Sequence, residues 1–288
     1  PELNFQKTKP DFEGDITFLE NAHLDVDLQN DAQVPGVDQI HFTPNANVKL
    51  LGGGNAILKA SRSVLLEGGS SLETMDGSML VEANQQTVPT SGVFVGVDVA
   101  GGMLWARGKG QIAVKGRGGN TGEYQHGVQI YDVGTIRGGT EGAVFVQGIC
   151  GPSLGNHNYG VRVSGGGSSL GSAGAALNIL GQGGGLGSGG NNYGVSVASG
   201  GIVKSGGNGA LILVGKGGNT FGAHNYGVFV SRSNSLIGTA GGHLKVEGYG
   251  GGSGTSSDNY GVHLFSAGAI VSGGIGNNTV EGSGGKTG

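Results

Sequence analysis

The chain has 288 residues, 67 of which are glycine, and its formal net charge is −4 with only 12% charged residues. Collagen is excluded because proline is rare and no strict Gly-X-Y period exists, and the lack of a basic surface argues against nucleic acid as a partner. No stretch approaches the ~20 apolar residues of a membrane span. The single cysteine, Cys150, excludes an internal disulfide, and we interpret it as a turn substitution rather than a reactive thiol.

Residues 1 to 90 contain short apolar runs separated by turn-forming residues, without a helical period. The run at 24–28 alternates leucine or valine with aspartate, which predicts a strand with one buried face. We interpret the acidic residues between positions 2 and 38 as a solvated face rather than a calcium site, since no ligand loop of defined spacing is present. Similar runs begin at Ile57 and at Met79, a closer spacing than that of the later repeats, which predicts a smaller coil here than further along.

The tetrapeptide Asn-Tyr-Gly-Val recurs through the rest of the chain. Full copies stand at 158–161, 192–195, 225–228 and 259–262, and weaker copies at 125–128 and 90–93. Their glycines (92, 127, 160, 194, 227 and 261) are 33 to 35 residues apart. Such spacing indicates a repeat array. We predict a six-coil array over 91–288, preceded over 1–90 by a β-helix portion with shorter, irregular coils, and we expect the array to continue beyond residue 288.

Each repeat divides into three short apolar runs and one long glycine-rich connection. Equivalent apolar positions align as three rows: Val93, Val128, Val161, Val195, Val228, Val262; then Val95, Ile130, Val163, Val197, Val230, Leu264; then Val114, Val146, Ile179, Leu213, Val246, Val280. Three strands per turn with stacked apolar rows are typical of a β-solenoid, in which coils pair ~4.8 Å apart. The sequence therefore predicts an all-β fold, a right-handed parallel β-helix with three short strands per coil.

Several stretches carry a family resemblance: 60–64 (Ala-Ser-Arg-Ser-Val), 82–86 (Glu-Ala-Asn-Gln-Gln) leading to 92–95 (Gly-Val-Phe-Val), and the four Asn-Tyr-Gly-Val units. Together they resemble the β-strand-repeat regions of very large bacterial surface proteins of the filamentous-haemagglutinin type. The resemblance implies a secreted or surface-anchored scaffold that acts as an adhesive stalk, and it names no ligand.

The motif itself contains the residues that we expect to hold the stack together. The asparagines are predicted to form a ladder of side-chain amides, each donating to the next coil, and the tyrosines an aromatic column beside it. The ladder comprises Asn158, Asn192, Asn225 and Asn259, and the column comprises Tyr159, Tyr193, Tyr226 and Tyr260. An exposed tyrosine column is also suited to sugar rings, and we favour the structural role over ligand binding.

Other residues suited to chemistry lack the pattern that a site requires. His126, His157 and His224 do not recur in every coil, so we interpret them as polar turn residues rather than a metal column. Trp105 is interpreted as a cover over the core. The glycine-rich connections match neither a calcium-binding nonapeptide nor a phosphate loop. We therefore predict no catalytic residue, no metal and no cofactor.

The remaining alternative is an enzyme that cleaves acidic polysaccharides. Asp98 and Asp132 are expected near each other on successive coils, with Arg107 and Arg137 not far along. Such a carboxylate pair can serve general acid and base catalysis.

Two classes of function follow. The first is a rigid extracellular or cell-surface stalk or fibre that contacts surface glycans or other cells. The second is a polysaccharide-degrading or carbohydrate-binding β-helix protein. End-to-end self-association is a third hypothesis, because an uncapped β-helix end offers unpaired strand edges.

Overall fold

The computed structural model describes residues 11–12, 15–18 and 39–285 of the chain. In this part the protein is all-β, with 26 strands and no helix. The strands form three parallel sheets, and each coil contributes one strand to each sheet. The predicted parallel β-helix with three strands per coil is therefore confirmed.

Each sheet runs the length of the solenoid. The first contains β1 (Asp11–Phe12), β3 (Gln39–Phe42), β6 (Ser63–Leu66), β9 (Val97–Ala100), β12 (Val128–Tyr131), β15 (Val161–Ser164), β18 (Val195–Ala198), β21 (Val228–Ser231) and β24 (Val262–Phe265). The second contains β2 (Asp15–Phe18), β4 (Asn47–Leu50), β7 (Ser71–Thr74), β10 (Met103–Ala106), β13 (Thr135–Gly138), β16 (Ser169–Ser172), β19 (Ile202–Ser205), β22 (Leu236–Thr239) and β25 (Ala269–Ser272). The third contains β5 (Ala56–Ala60), β8 (Met79–Ala83), β11 (Ile112–Arg117), β14 (Val144–Ile149), β17 (Leu177–Gln182), β20 (Leu211–Lys216), β23 (Leu244–Tyr249) and β26 (Asn278–Ser283).

Period-two alternation places the apolar residues in the interior. In β14, Val144 and Val146 are fully buried, whereas Phe145 and Gln147 lie on the outer face. Branched side chains suit a pleated strand, and in parallel register each one stacks on its equivalent in the next coil. The buried side chains form one continuous core from Ile40 to Val246.

The pairing of the strands changes the first residue in two of the three predicted rows of apolar residues. Val97 and Val99, not Val93 and Val95, pair with Val128 and Ile130, and Val93 is 61% exposed. The first repeat therefore runs from Val97 to Val128 and is shorter than predicted. The reason is close backbone approach: a Cβ on Gly96 would lie 2.7 Å from the Gly127 carbonyl oxygen, whereas one on Gly92 would meet nothing nearer than 4.0 Å.

The coils come in two sizes. A short coil separates Gln39 from its partner Ser63, whereas a longer one separates Val161 from its partner Val195. Ile57 pairs with Leu80, so this short coil extends one position further than the predicted match of Ile57 with Met79. The difference in size lies in the connection from the third sheet to the first, which is only 61–62 in a short coil but 150–160 in a long one.

The predicted strand at 24–28 lies outside the described residues, and so does the predicted acidic face between positions 2 and 38, of which only the backbone of Asp11 and Asp15 is described. The described part of the chain contains no helix long and apolar enough to cross a membrane.

Candidate functional site

Six long connections, here called the lateral extensions, repeat along one side of the described solenoid. They are 84–96, 118–127, 150–160, 183–194, 217–227 and 250–261. They fold onto the outer face of the first sheet: the Tyr193 ring lies 4.9 Å from the ring of Phe229, an outward residue of β21. The outward residue Ser196 is accordingly only 3% exposed. The extensions therefore add an outer layer that the short coils lack.

The asparagines of the motif lie where each extension rejoins the first sheet. Asn158, Asn192 and Asn225 are completely buried. In each pair of coils, the backbone N–H of one motif residue donates to the side-chain oxygen of the equivalent residue in the next coil. These bonds are Gln125 to Asn158 at 2.8 Å, Asn158 to Asn192 at 2.9 Å, Asn192 to Asn225 at 3.2 Å, and Asn225 to Asn259 at 3.0 Å.

The predicted donation from one amide to the next coil occurs in one pair, in which Asn225 Nδ2 donates to Asn259 Oδ1 at 3.3 Å, and the other bonds run differently. Most of the amide nitrogens donate within their own extension, as Asn158 does to the Gly155 carbonyl at 2.9 Å and Asn192 to the Gly189 carbonyl at 3.0 Å. The amide oxygen accepts from the neighbouring coil. Asn158, Asn192 and Asn225 each satisfy a buried N–H of one coil and a carbonyl of their own turn, which would otherwise lose hydrogen bonds to water.

The tyrosines form a stacked column. Ring centroids are 4.8 Å apart for Tyr159 and Tyr193, 5.0 Å for Tyr193 and Tyr226, and 5.5 Å for Tyr226 and Tyr260. Tyr193 and Tyr226 are each 6% exposed, whereas Tyr260 is 47% exposed. Burial raises the pKa of Tyr226 to about 12. Between neighbouring coils the ring faces contact one another, so the middle of the column offers no open ring face to a sugar.

His126 extends this column by one coil. Its ring stacks on Tyr159 at 4.8 Å, and its Nδ1 accepts a hydrogen bond from the Tyr159 backbone N–H at 3.2 Å. The side chain is only 1% exposed, and burial, with help from nearby Arg162, holds its pKa well below the usual range. Its interpretation as a polar turn residue was wrong, because it occupies a tyrosine position in the packed column.

A second column stands beside the first, and the sequence analysis missed it. It consists of the residue before each motif, all with left-handed backbone: Tyr124 (φ 61°), His157 (57°), Asn191 (55°), His224 (61°) and Asp258 (52°). Asn191 Oδ1 accepts the Tyr193 hydroxyl at 2.9 Å, and His157 Nδ1 lies 3.0 Å from the Tyr159 hydroxyl. The available signal was the residue types, since Asn, Asp and His are the non-glycine residues enriched in this conformation.

The carboxylates of the enzyme hypothesis lie near the start of the long coils. Asp98 is an outward residue of β9, and Asp132 occupies the turn after β12 with φ 51°. Burial raises the pKa of Asp98 to about 6. The positive charge of Arg162 lowers this pKa, and the negative charge of Asp132 raises it further. One Asp98 oxygen, Oδ1, is buried without a hydrogen-bond partner. The two carboxylates thus interact electrostatically, as expected from the sequence.

The arginines expected beside them lie elsewhere. Arg107 pairs with Glu73 at 2.7 Å and covers the Trp105 ring at 3.6 Å. Arg137 stands over the same ring at 5.2 Å. Trp105 is an outward residue of the second sheet, between the inward Leu104 and Ala106, so it does not cover the core as interpreted from the sequence. The cation near Asp98 is Arg162, two coils along the first sheet.

Cys150 is buried at the root of the third extension. Its Sγ lies 2.6 Å from the carbonyl oxygen of Gln125 and 2.8 Å from that of Tyr159, and its single S–H proton is shared between these two acceptors. Burial raises the pKa of the thiol above its usual range. Because the thiolate is the reactive form, this environment disfavours nucleophilic chemistry.

Within the residues that the structure describes, no group of three or more His, Cys, Asp or Glu side chains is placed to hold a metal ion. Comparisons of the chain with known proteins found no matching protein family, no matching characterised protein and no matching solved structure.

Proposed function

We propose that this chain is a rigid spacer segment of an extracellular bacterial surface protein, and that it carries contact surfaces away from the cell. The sequence resemblance to filamentous-haemagglutinin-type repeats supports the location. The parallel β-solenoid supports the mechanical role, because every coil is hydrogen-bonded to its neighbours along three sheets.

The observation that carries the proposal is the unbroken outer layer of the long coils. The asparagine bonds run from Gln125 to Asn259 without a missing member, and the stacked rings run beside them from His126 to Tyr260. Bending the solenoid toward or away from this side would compress or separate stacked rings and stretch amide bonds. Stiffness along the axis is the physical property that a stalk requires.

The tips of the extensions supply surface for contact. Leu154, Leu186 and Phe221 are 72%, 57% and 56% exposed on three successive extensions. Apolar side chains grouped in this way are typical of surfaces that meet another molecule. We propose that this edge contributes to contact with glycans or other cells.

The location is tested on cells that make the full-length protein, with an antibody against residues 91–285. We expect labelling of intact cells and loss of the epitope after external protease treatment. Labelling only after permeabilisation would overturn the extracellular assignment.

The contact role is tested with beads coated with the chain. We expect adhesion to cells, and weaker adhesion for the triple variant Leu154→Ser, Leu186→Ser, Phe221→Ser. Lys204→Ser, at an exposed position on the second sheet, is the matched control.

One observation favours the enzymatic alternative. Asp98 has a pKa raised to about 6 beside a second carboxylate, and a carboxyl group of that pKa can act as a general acid near neutral pH. Incubation with a panel of acidic polysaccharides tests it. New reducing ends or unsaturated sugars that disappear in both Asp98→Asn and Asp132→Asn would replace the spacer proposal by a hydrolase or lyase.

A further inference from the structure

A cavity of about 400 Å³ lies where the first three extensions leave the third sheet. Thr90 comes from the first extension, Arg117 and Asn120 from the end of β11 and the second extension, and Pro152 from the third. Gln182, at the end of β17, also lines the cavity. The volume of the cavity is within the range of small-ligand sites, about 300–1,000 Å³.

Arg117 is the charged group of this cavity, and no carboxylate among the described residues forms an ion pair with it. Its Nε is buried without a hydrogen-bond partner. No aspartate or glutamate lines the cavity. The neighbouring outward cation of the same strand differs, since Lys115 pairs with Glu82 at 3.0 Å. Arg117 is only half-buried, so an anionic ligand in the cavity can pair with the part of its guanidinium group that remains accessible.

Backbone geometry keeps the cavity from being filled by a side chain. A Cβ on Gly118 would collide with the Gln125 carbonyl oxygen, and one on Gly151 with that of Gly119. The thiol of Cys150 is engaged by the Gln125 and Tyr159 carbonyls. Close packing of the surrounding coils therefore excludes larger residues at these two glycines of the cavity wall.

We propose that this cavity binds a carboxylate on a small hydroxylated molecule, about the size of a sugar acid. The guanidinium group of Arg117 lines this space, and its two terminal Nη groups form a planar fork that matches the two carboxylate oxygens. The exposed amide of Gln182 lines the same space and suits hydroxyl groups. The amide of Asn120 is already hydrogen-bonded to the Gly92 N–H at 3.0 Å and to Ser91 Oγ at 3.2 Å, so it helps to form the wall of the cavity. A spacer requires no such site, so this inference goes beyond the proposed function and does not depend on it.

The test uses the whole chain and two matched probes, glucuronate and glucose, at constant ionic strength. The Nε–Hε signal of Arg117 is followed by ¹⁵N NMR. We expect a saturable shift with glucuronate and none with glucose, because only the former carries a carboxylate. Sodium sulfate serves as a third arm that separates carboxylate recognition from general anion binding. We expect sulfate to bind at least ~10-fold more weakly, because it can pair with the guanidinium group but lacks the hydroxyl groups that would contact the amide of Gln182.

Two variants and one control decide the role of Arg117. Arg117→Gln is expected to weaken glucuronate binding by ~10-fold or more, and Arg117→Lys to do nearly the same because it keeps the charge but not the fork. Lys216→Gln is the control. It removes a cation from the same register column, three coils or about 14 Å away, and should bind as the unmodified chain does.

Three results would overturn the proposal: no saturable response to glucuronate, an equal response to glucose, or unchanged affinity in Arg117→Lys. Thermal unfolding of each variant is measured first. If Arg117→Gln does not fold, the lysine variant and the glucose arm still decide the question.

Discussion

The short coils between residues 39 and 83 and the long coils from residue 97 onward use the same three sheets but hold together differently. In the first sheet, the short coils bury the large side chains of Phe42 and Leu66, which are at most 1% exposed. The first-sheet rows of the long coils are mostly valine, as at Val161 and Val163. The long coils add the lateral extensions, whose asparagine and tyrosine columns pack on the outside of the solenoid.

This difference shows that a long extension needs stabilising contacts of its own, outside the core enclosed by the three sheets. A two-residue connection such as 61–62 leaves little backbone to satisfy. An extension of about eleven residues contains many N–H and C=O groups next to its neighbours, and these require partners. Backbone bonds between successive extensions, such as Gly218 N–H to the Asn192 carbonyl at 2.7 Å, supply some. The buried asparagine amides supply others.

The largest expected effect tests the short coils. Leu66→Ala removes a fully buried side chain and should lower the free energy of unfolding by about 3–5 kcal/mol. Val195→Ala in a long coil should cost less, since it removes one carbon fewer. Hydrogen–deuterium exchange, read coil by coil, checks this, because effects in a solenoid stay near the altered repeat. Equal protection losses in the two variants would contradict the contrast between the two cores.

The second test removes a ring from the long coils. Tyr193→Ala should destabilise the adjacent coils by about 3 kcal/mol, because it removes a buried ring together with two stacked contacts. Tyr249→Ala is the control, since that ring is 42% exposed at a strand end. The short coils should keep their exchange protection in both. Unchanged protection in Tyr193→Ala with loss of bead adhesion would show that the ring serves binding instead.

A smaller effect is expected for the amide. Asn192→Ala leaves the buried N–H of Asn158 and the Gly189 carbonyl without their partners, and should cost about 2 kcal/mol. Asn208→Ala, at an exposed turn of the same coil, should change stability by less than ~0.5 kcal/mol. Exchange at the Asn158 amide is the direct measurement. If the Asn158 amide stays protected from exchange in the variant, its hydrogen bond to the Asn192 side chain is not the source of that protection.

The smallest effect lies where the two regions meet. The pKa of Asp98 is raised from 3.8 to about 6 in the folded chain, so ionising it opposes folding. Stability should therefore rise by about 1 kcal/mol as the pH falls from 7 to 5, through the folded pKa. Asp98→Asn should remove this dependence and increase stability at pH 7. Denaturant unfolding at the two pH values measures it. A variant with the same pH dependence as the unmodified chain would assign the effect to another group.

The recurring motif was enough to predict the parallel solenoid and to single out the asparagine and tyrosine columns, because equivalent residues must stack when coils pair in register. At its first copy, however, the motif predicted the wrong strand register. Thr90 to Val93 preserves the glycine and valine of the motif, yet Phe94 to Val97 does so as well and has the backbone contact that decides the register. Two candidate Gly-Val pairs so close together cannot be separated by spacing alone.

The amino-acid sequence by itself determined the period, the parallel β fold and the identity of the stacked columns, since all three follow from residue types that recur at equal intervals. Only the tertiary structure decided the direction of the asparagine bonds, the second left-handed column and the neighbours of Asp98 and Arg117. Those depend on where each turn places residues of different coils, and residues 33 positions apart in the chain approach within 3 Å only after the coils have closed.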